Sequence, residues 1–168
     1  MMTEQQYLIH AAERFKKEHM ELLALLYRIQ LLATQAAGDT QSETAILLLK
    51  EAKFAVQDFL KKLKEHAEWE EEAWYPLLLR YSEEHLVPHA AEMLDTVEED
   101  HYLAKMFAKT FIAKLDRITD QYQAEEVQNA AMALNQTCIL LWEHFAREEE
   151  LMEPIAEDPR LEHELLIH

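Results

Sequence analysis

A chain of 168 residues is long enough for one domain with a buried core, and a composition of 49% hydrophobic and 29% charged residues excludes intrinsic disorder. One Gly and four Pro leave almost nothing for β-turns or Gly-rich phosphate loops, so an all-α chain built from strong helix formers follows. The 33 acidic against 16 basic residues, a formal charge of −17, repel nucleic acid and anionic membranes and favour a cationic partner or a metal.

Taken in chain order, helix-forming stretches run from Thr3 to Thr34, Ser42 to Tyr81, Pro88 to Asp120 and Gln123 to Met152. Short connections separate them. Gly38 suits the position just past a helix end, Ser42 an N-cap, and Pro88 a first helical turn. Short links force antiparallel neighbours, so the expected architecture is an up-down-up-down antiparallel four-helix bundle over residues 1–155, with residues 156–168 as a short C-terminal tail or docked helix. The N-terminus has no signal-peptide pattern, the apolar runs Ala45 to Leu49 and Cys138 to Trp142 are far short of a membrane span, and the lone Cys138 forms no intramolecular disulfide. These features together predict a cytoplasmic protein.

The apolar seams alternate steps of three and four. The first runs Leu8, Ala11, Phe15, His19, Leu22, Leu26, Ile29. The second runs Leu49, Ala52, Val56, Phe59, Leu63, His66, Glu70, Ala73, Leu77. Leu94, Val97, His101, Ala104, Ala108, Phe111, Leu115 and Ile118 make the third, and Val127, Ala130, Leu134, Thr137, Leu141, His144, Glu148, Leu151 and Ile155 the fourth. One His interrupts every seam, and in the second and fourth a Glu follows one turn later. In an antiparallel pair, residues at equal height are equidistant from the connecting loop. The midpoints of His101 with His144 and of His66 with His101 fall in the third and second connections, and that of His19 with His66 lies about one turn beyond Gly38. The four His are therefore expected in one layer.

An internal repeat reinforces this. HAEWEEEAWYP (His66 to Pro76) and HFAREEELMEP (His144 to Pro154) share His, three consecutive Glu and Pro in one register, and a lone His precedes each, His19 by 47 residues and His101 by 43. Two carboxylates facing each other in an apolar core cost several kcal/mol each and repel. No Lys or Arg occupies a seam at their height; Lys105 and Arg147 flank it. A pair of metal ions bound by His19, His66, Glu70, His101, His144 and Glu148 satisfies all six groups, and the mixture of imidazole and carboxylate favours iron over calcium, magnesium or structural zinc, with manganese or a zinc pair behind. The alternative is a metal-free buried His/Glu network.

The array of His19, His66-x3-Glu70 with Pro76, His101, and His144-x3-Glu148 with Pro154 resembles the hemerythrin-like (HHE cation-binding) family over the chain to about residue 155. The resemblance implies two iron ions in a non-haem, oxo- or hydroxo-bridged di-iron centre, with Glu70 and Glu148 bridging and the four His as terminal ligands. Two departures separate the chain from oxygen-carrying hemerythrins, which have a second His where this chain has Lys105 and a fourth-helix His-x4-Asp where it has His-x3-Glu. Two His per iron is closer to bacterial HHE proteins and to di-iron proteins linked to iron–sulfur repair, whose N-terminal Cys-containing segment the residues ahead of His19 do not provide. A ferritin-like site needs Glu-x-x-His on two helices, and only Glu98-x-x-His101 occurs.

Other groups carry weaker expectations. The acids preceding the ligand His (Glu18, Glu65, Asp100, Glu143) point about 100° away, toward solvent or a neighbour. Glu71 or Glu149 stands as a substitute ligand. His85 and His89 read as a loop pair, Trp69, Trp74, Tyr75, Trp142 and Phe145 as packing, and His163 and His168 as surface groups. Six ligands leave open metal positions, so the expected partner is O2, NO or peroxide, in sensing or in oxidative or nitrosative defence, possible di-iron peroxide or NO reduction included. Iron storage or donation, including iron–sulfur centre repair, and an interaction module with a structural metal are the alternative functions. Glu148→Gln is expected to weaken the metal-loaded protein and to stabilise the metal-free bundle or leave it unchanged.

Overall fold

The computed structural model describes residues 1–161; residues 162–168, with His163 and His168, lie outside the described part. The described residues form four antiparallel helical rods and no strand. The first rod is α1 (Glu4–Gly38), and the second joins α2 (Glu43–Trp69), a π-helical turn (Glu70–Trp74) and α3 (Tyr75–Glu84) without a break. The third is α4 (Ala90–Asp116) and the fourth α5 (Ala124–Ala156). Among the described residues no helix is long and apolar enough to cross a membrane.

Local chemistry sets most of the boundaries. Thr3 caps α1 through a capping box with Gln6, Ser42 accepts the Thr44 N–H, and Gln123 forms a box with Glu126, each satisfying N–H groups that a first turn leaves unpaired. Two expectations are corrected here. Gly38 does not leave the helix: it is the last residue of α1, it has no positive φ, and Asp39 follows as the cap. Pro88 does not open the third helix. It lies in a turn that reverses the chain by placing Leu86 (φ 54°) and His89 (φ 61°) in the left-handed region, so α4 starts at Ala90. The fourth helix also runs past Met152, through Pro154, to Ala156.

Extensive contacts join α1 to α2, α1 to α5 and α4 to α5, whereas α2 meets α4 sparsely. Around the bundle the order is therefore α1, α2, α4, α5, with one loose side. The core is divided in two. One apolar cluster includes Leu22, Phe59, Ala104, Phe111, Leu134 and Phe145, and the other Leu8, Phe15, Trp74, Leu94, Val97 and Ile155. The polar groups of the four seams occupy the gap between them.

The π-helical turn corrects the second seam. Beyond Glu70 the buried positions are Trp74 and Leu78, not Ala73 and Leu77. A π-turn carries one extra residue, so every side chain after it is advanced by one position along the seam. The wide turn accommodates Pro76, which lacks an N–H and whose ring crowds the carbonyl four residues back. Pro154 stands in regular helix at the same register of the repeat, so the proline alone does not specify the turn. The exchange puts a fully buried indole where Ala73 would have left space. In the first seam Ala12 likewise replaces Ala11 as the buried alanine.

Candidate metal centre

Each rod delivers one imidazole to the gap: α1 brings His19, α2 His66, α4 His101 and α5 His144. The first residue of the π-turn, Glu70, and the α5 residue Glu148 lie one turn beyond their own His. The two carboxylates differ. Glu148 is a hub: its Oε2 lies 2.7 Å from His19 Nε2 and its Oε1 3.4 Å from His101 Nε2, with His144 Nε2 closer still. Tyr75, carried inward by the π-turn, donates its hydroxyl to Glu148 Oε1 over 3.4 Å. Glu70 is nearly alone, its Oε1 lying 3.2 Å from His66 Nε2 and 3.6 Å from His101 Nε2, with neither oxygen accepting a hydrogen bond.

Protonation follows this asymmetry. Burial drives the Glu70 carboxyl well above the usual carboxylate range, and the charge of Glu148 adds to the effect. Burial acts in the same sense on Glu148, but His144, His101 and His19 outweigh it and hold Glu148 well below that range. Burial pushes His66 down to about 4, against the pull of Glu148 and with a further push from His19. Tyr75 is pushed up by burial and by both carboxylates, so its proton stays on the hydroxyl. Without a cation the pair thus keeps one negative charge, on Glu148. For the metal-free bundle this asymmetry favours Glu70→Gln, rather than Glu148→Gln, as the substitution made at no cost, because Glu148 holds three imidazoles.

The donor set fits cations. Glu70 Oε1 and Oε2, His66 Nε2, both nitrogens of His101 and of His144, and His19 Nδ1 are buried without a hydrogen-bond partner, and among the described residues only Glu13 Oε1 joins them. Such orphaned atoms cost several kcal/mol unless something binds them. Two groups have donor atoms all within 4.8 Å of one another: His19, His66, Glu70 and Glu148, and His101, His144 and Glu148. Each takes both imidazoles of one helix pair, and Glu148 is common to the two. These residues would hold the metal ions that the fold implies, as neutral-imidazole and carboxylate ligands.

Behind the ring stand acids that sequence reasoning left to solvent or a neighbour. His66 Nδ1 donates to Glu18 Oε2 over 3.4 Å, and His144 Nδ1 lies 3.6 Å from Asp100 Oδ2. Each acid precedes the lone His of one helix and faces the other His of the same pair. Arg14 holds Glu18 at 3.1 Å and Arg147 holds Asp100 at 2.5 Å. A carboxylate on Nδ1 fixes the tautomer that leaves the Nε2 lone pair free for a cation. The acid before each lone His was the available signal; Glu65 and Glu143, before the other two, are exposed. Glu149 lies 3.9 Å from His19 Nδ1 but is half-exposed, and Glu71 is exposed. Neither joins a ligand group.

His85 caps α3, its Nδ1 donating to the Tyr81 carbonyl, and His89 faces Glu92. The five aromatics divide. Trp74 stacks on Trp69 and Phe15, Phe145 lies edge-on to His19, and Trp142 donates to Gln30, while Tyr75 alone bonds a site carboxylate. After α5, Asp158 accepts from Tyr81 and Arg160, and Leu161 is buried against the second core cluster.

No curated protein and no solved structure matches the chain. The sequence model described as the hemerythrin HHE cation binding domain matches residues 10–156, a span that contains all four rods' contributions to the site. With its helical bundle and its buried His/Glu ring, the chain belongs to the hemerythrin HHE cation-binding domain family.

Proposed function

We propose that the chain is a cytoplasmic non-haem di-iron protein that binds or reacts with a small oxidant, O2, NO or peroxide. The observation that carries this reading is the pair of donor groups, His19/His66/Glu70/Glu148 and His101/His144/Glu148, joined through one carboxylate. Iron bound there supplies reversible electron transfer to a small oxidant at positions the protein leaves open. The residues do the rest. Glu148, ionised and common to both donor groups, would compensate the charge of both cations, and Glu70 would add a second carboxylate on giving up its proton. Burial holds His66 neutral against the pull of Glu148 and Glu18, and Glu18 and Asp100 orient the rings of His66 and His144 from behind. Apolar clusters above and below exclude water from the layer. The buried lone thiol of Cys138 accords with a reducing compartment.

The test is anaerobic reconstitution with Fe(II), metal analysis, and exposure to O2, NO and hydrogen peroxide in turn. Two irons per chain and an optical or magnetic change with at least one oxidant are expected. Iron well below two per chain, or two irons inert to all three, overturns the reading.

A further inference from the structure

Two grooves reach the polar layer from opposite sides of the bundle. The one between α1 and α5 touches His19, whose side chain is 3% exposed and whose ring nitrogens face Glu148 and Glu149. Its charged lining is Lys16 against Glu149 and Glu153. The other opens on the loose side between α2 and α4, has a volume of about 500 Å3 and reaches His101. That side chain is 10% exposed, and neither ring nitrogen has a hydrogen-bond partner.

Three properties of the α2–α4 groove specify an occupant. Its volume lies within the ~300–1,000 Å3 of small-molecule sites and far exceeds that of a diatomic gas. Carbon dominates the lining, from Leu60, Leu63, Ala67 and Tyr102. Its charged groups are Lys61, Lys64 and Lys105 against Glu68 and Glu71. Lys64 meets Glu68 at 3.9 Å, whereas Lys61 and Lys105, and on the acidic side Glu71, have no group of opposite charge within 4 Å among the described residues, so the lining carries one net positive charge. In a chain with twice as many acids as bases, two unpaired lysines beside one apolar groove offer a local well for negative charge.

We propose that the α2–α4 groove binds an amphipathic organic monoanion, its carboxylate between Lys61 and Lys105 and its hydrocarbon body over Leu60, Leu63 and Ala67, beside His101. The class of molecule presented to the metal layer from this side is then an aliphatic carboxylic acid. Binding belongs to the groove and does not require iron, so it stands or falls separately from the di-iron reading.

Octanoate is the probe, titrated into metal-free and iron-loaded protein by calorimetry, with backbone amide shifts mapped on the metal-free form. A Kd below about 1 mM is expected, with shifts confined to residues 60–71 and 101–105. The neutral 1-octanol should bind about tenfold more weakly. The double variant Lys61→Gln/Lys105→Gln, at exposed positions that leave folding intact, should weaken octanoate about tenfold and leave 1-octanol unchanged, while Lys16→Gln in the opposite groove changes neither. Equal binding of octanoate and 1-octanol, shifts centred on the α1–α5 groove, or an affinity insensitive to the double variant overturns the proposal. Failure to load iron with octanoate binding intact counts against the di-iron reading alone.

Discussion

The two repeats, His66 to Pro76 and His144 to Pro154, carry the same His, three Glu and Pro in the same register, and the fold treats them differently. After Glu148 the helix continues regularly through Pro154, and Leu151 and Ile155 stay on the seam. After Glu70 the chain makes a π-turn, and Trp74, Tyr75 and Leu78 take the inward positions. Glu148 receives imidazoles from three rods and stays ionised, whereas Glu70 accepts no hydrogen bond and keeps its proton. A shared motif therefore supplies the ligand types, and neighbours decide which carboxylate carries the charge.

The largest effect expected to sharpen this comparison comes from single-residue deletions. Removing Glu150 rotates Leu151, Met152 and Ile155 about 100° off the seam, and cooperative unfolding in urea should be lost, because those burials are a large part of a stability of about 5–15 kcal/mol. Removing Ala73 should convert the π-turn to ordinary α-helix with Trp74 and Leu78 still inward, and cost about 1 kcal/mol or less. Equal losses would show that the π-turn is not an inserted residue.

Substituting the carboxylates comes next. Glu148→Gln should destabilise the metal-free protein by about 3 kcal/mol, since three imidazoles lose their ionised partner in a buried site, and should abolish binding of the second metal. Glu70→Gln should abolish the same metal binding yet leave metal-free stability within about 1 kcal/mol of wild type, because a protonated carboxyl is already neutral. Chemical denaturation of both variants with and without metal measures the difference. Identical metal-free shifts would break the asymmetry.

The acids behind the ring give a smaller contrast. Asp100→Asn should weaken metal at the His101/His144 group by about 10- to 100-fold, read by competition with a chelator. Glu18→Gln should do the same to the His19/His66 group more weakly, as Glu18 is a quarter exposed and Asp100 is not. The smallest effect is expected from Tyr75→Phe, which removes one long hydrogen bond to Glu148 and should cost about 1 kcal/mol.

What the amino-acid sequence determined by itself is the periodic part of the molecule. Helix-forming composition, the three-four spacing of apolar residues and the scarcity of Gly specify four rods, because amphipathic helices bury their stripes in only a few ways. Equal distances from the loops place His19, His66, His101 and His144 at one height, since an antiparallel pair folds back on itself residue for residue. The doubled His-x3-Glu then puts Glu70 and Glu148 among them. Tertiary structure decided whatever depends on packing between rods. The π-turn answers to the space that Trp74 fills, since Pro154 leaves its own helix regular at the register of Pro76, and Leu86 and His89 answer to a tight reversal that periodicity does not encode. The pairing of Glu18 with His66 and of Asp100 with His144 is set by how neighbouring helices are rotated. So is the unequal protonation of Glu70 and Glu148, because burial and the nearest charges fix a carboxyl's proton and both arise only when distant segments meet.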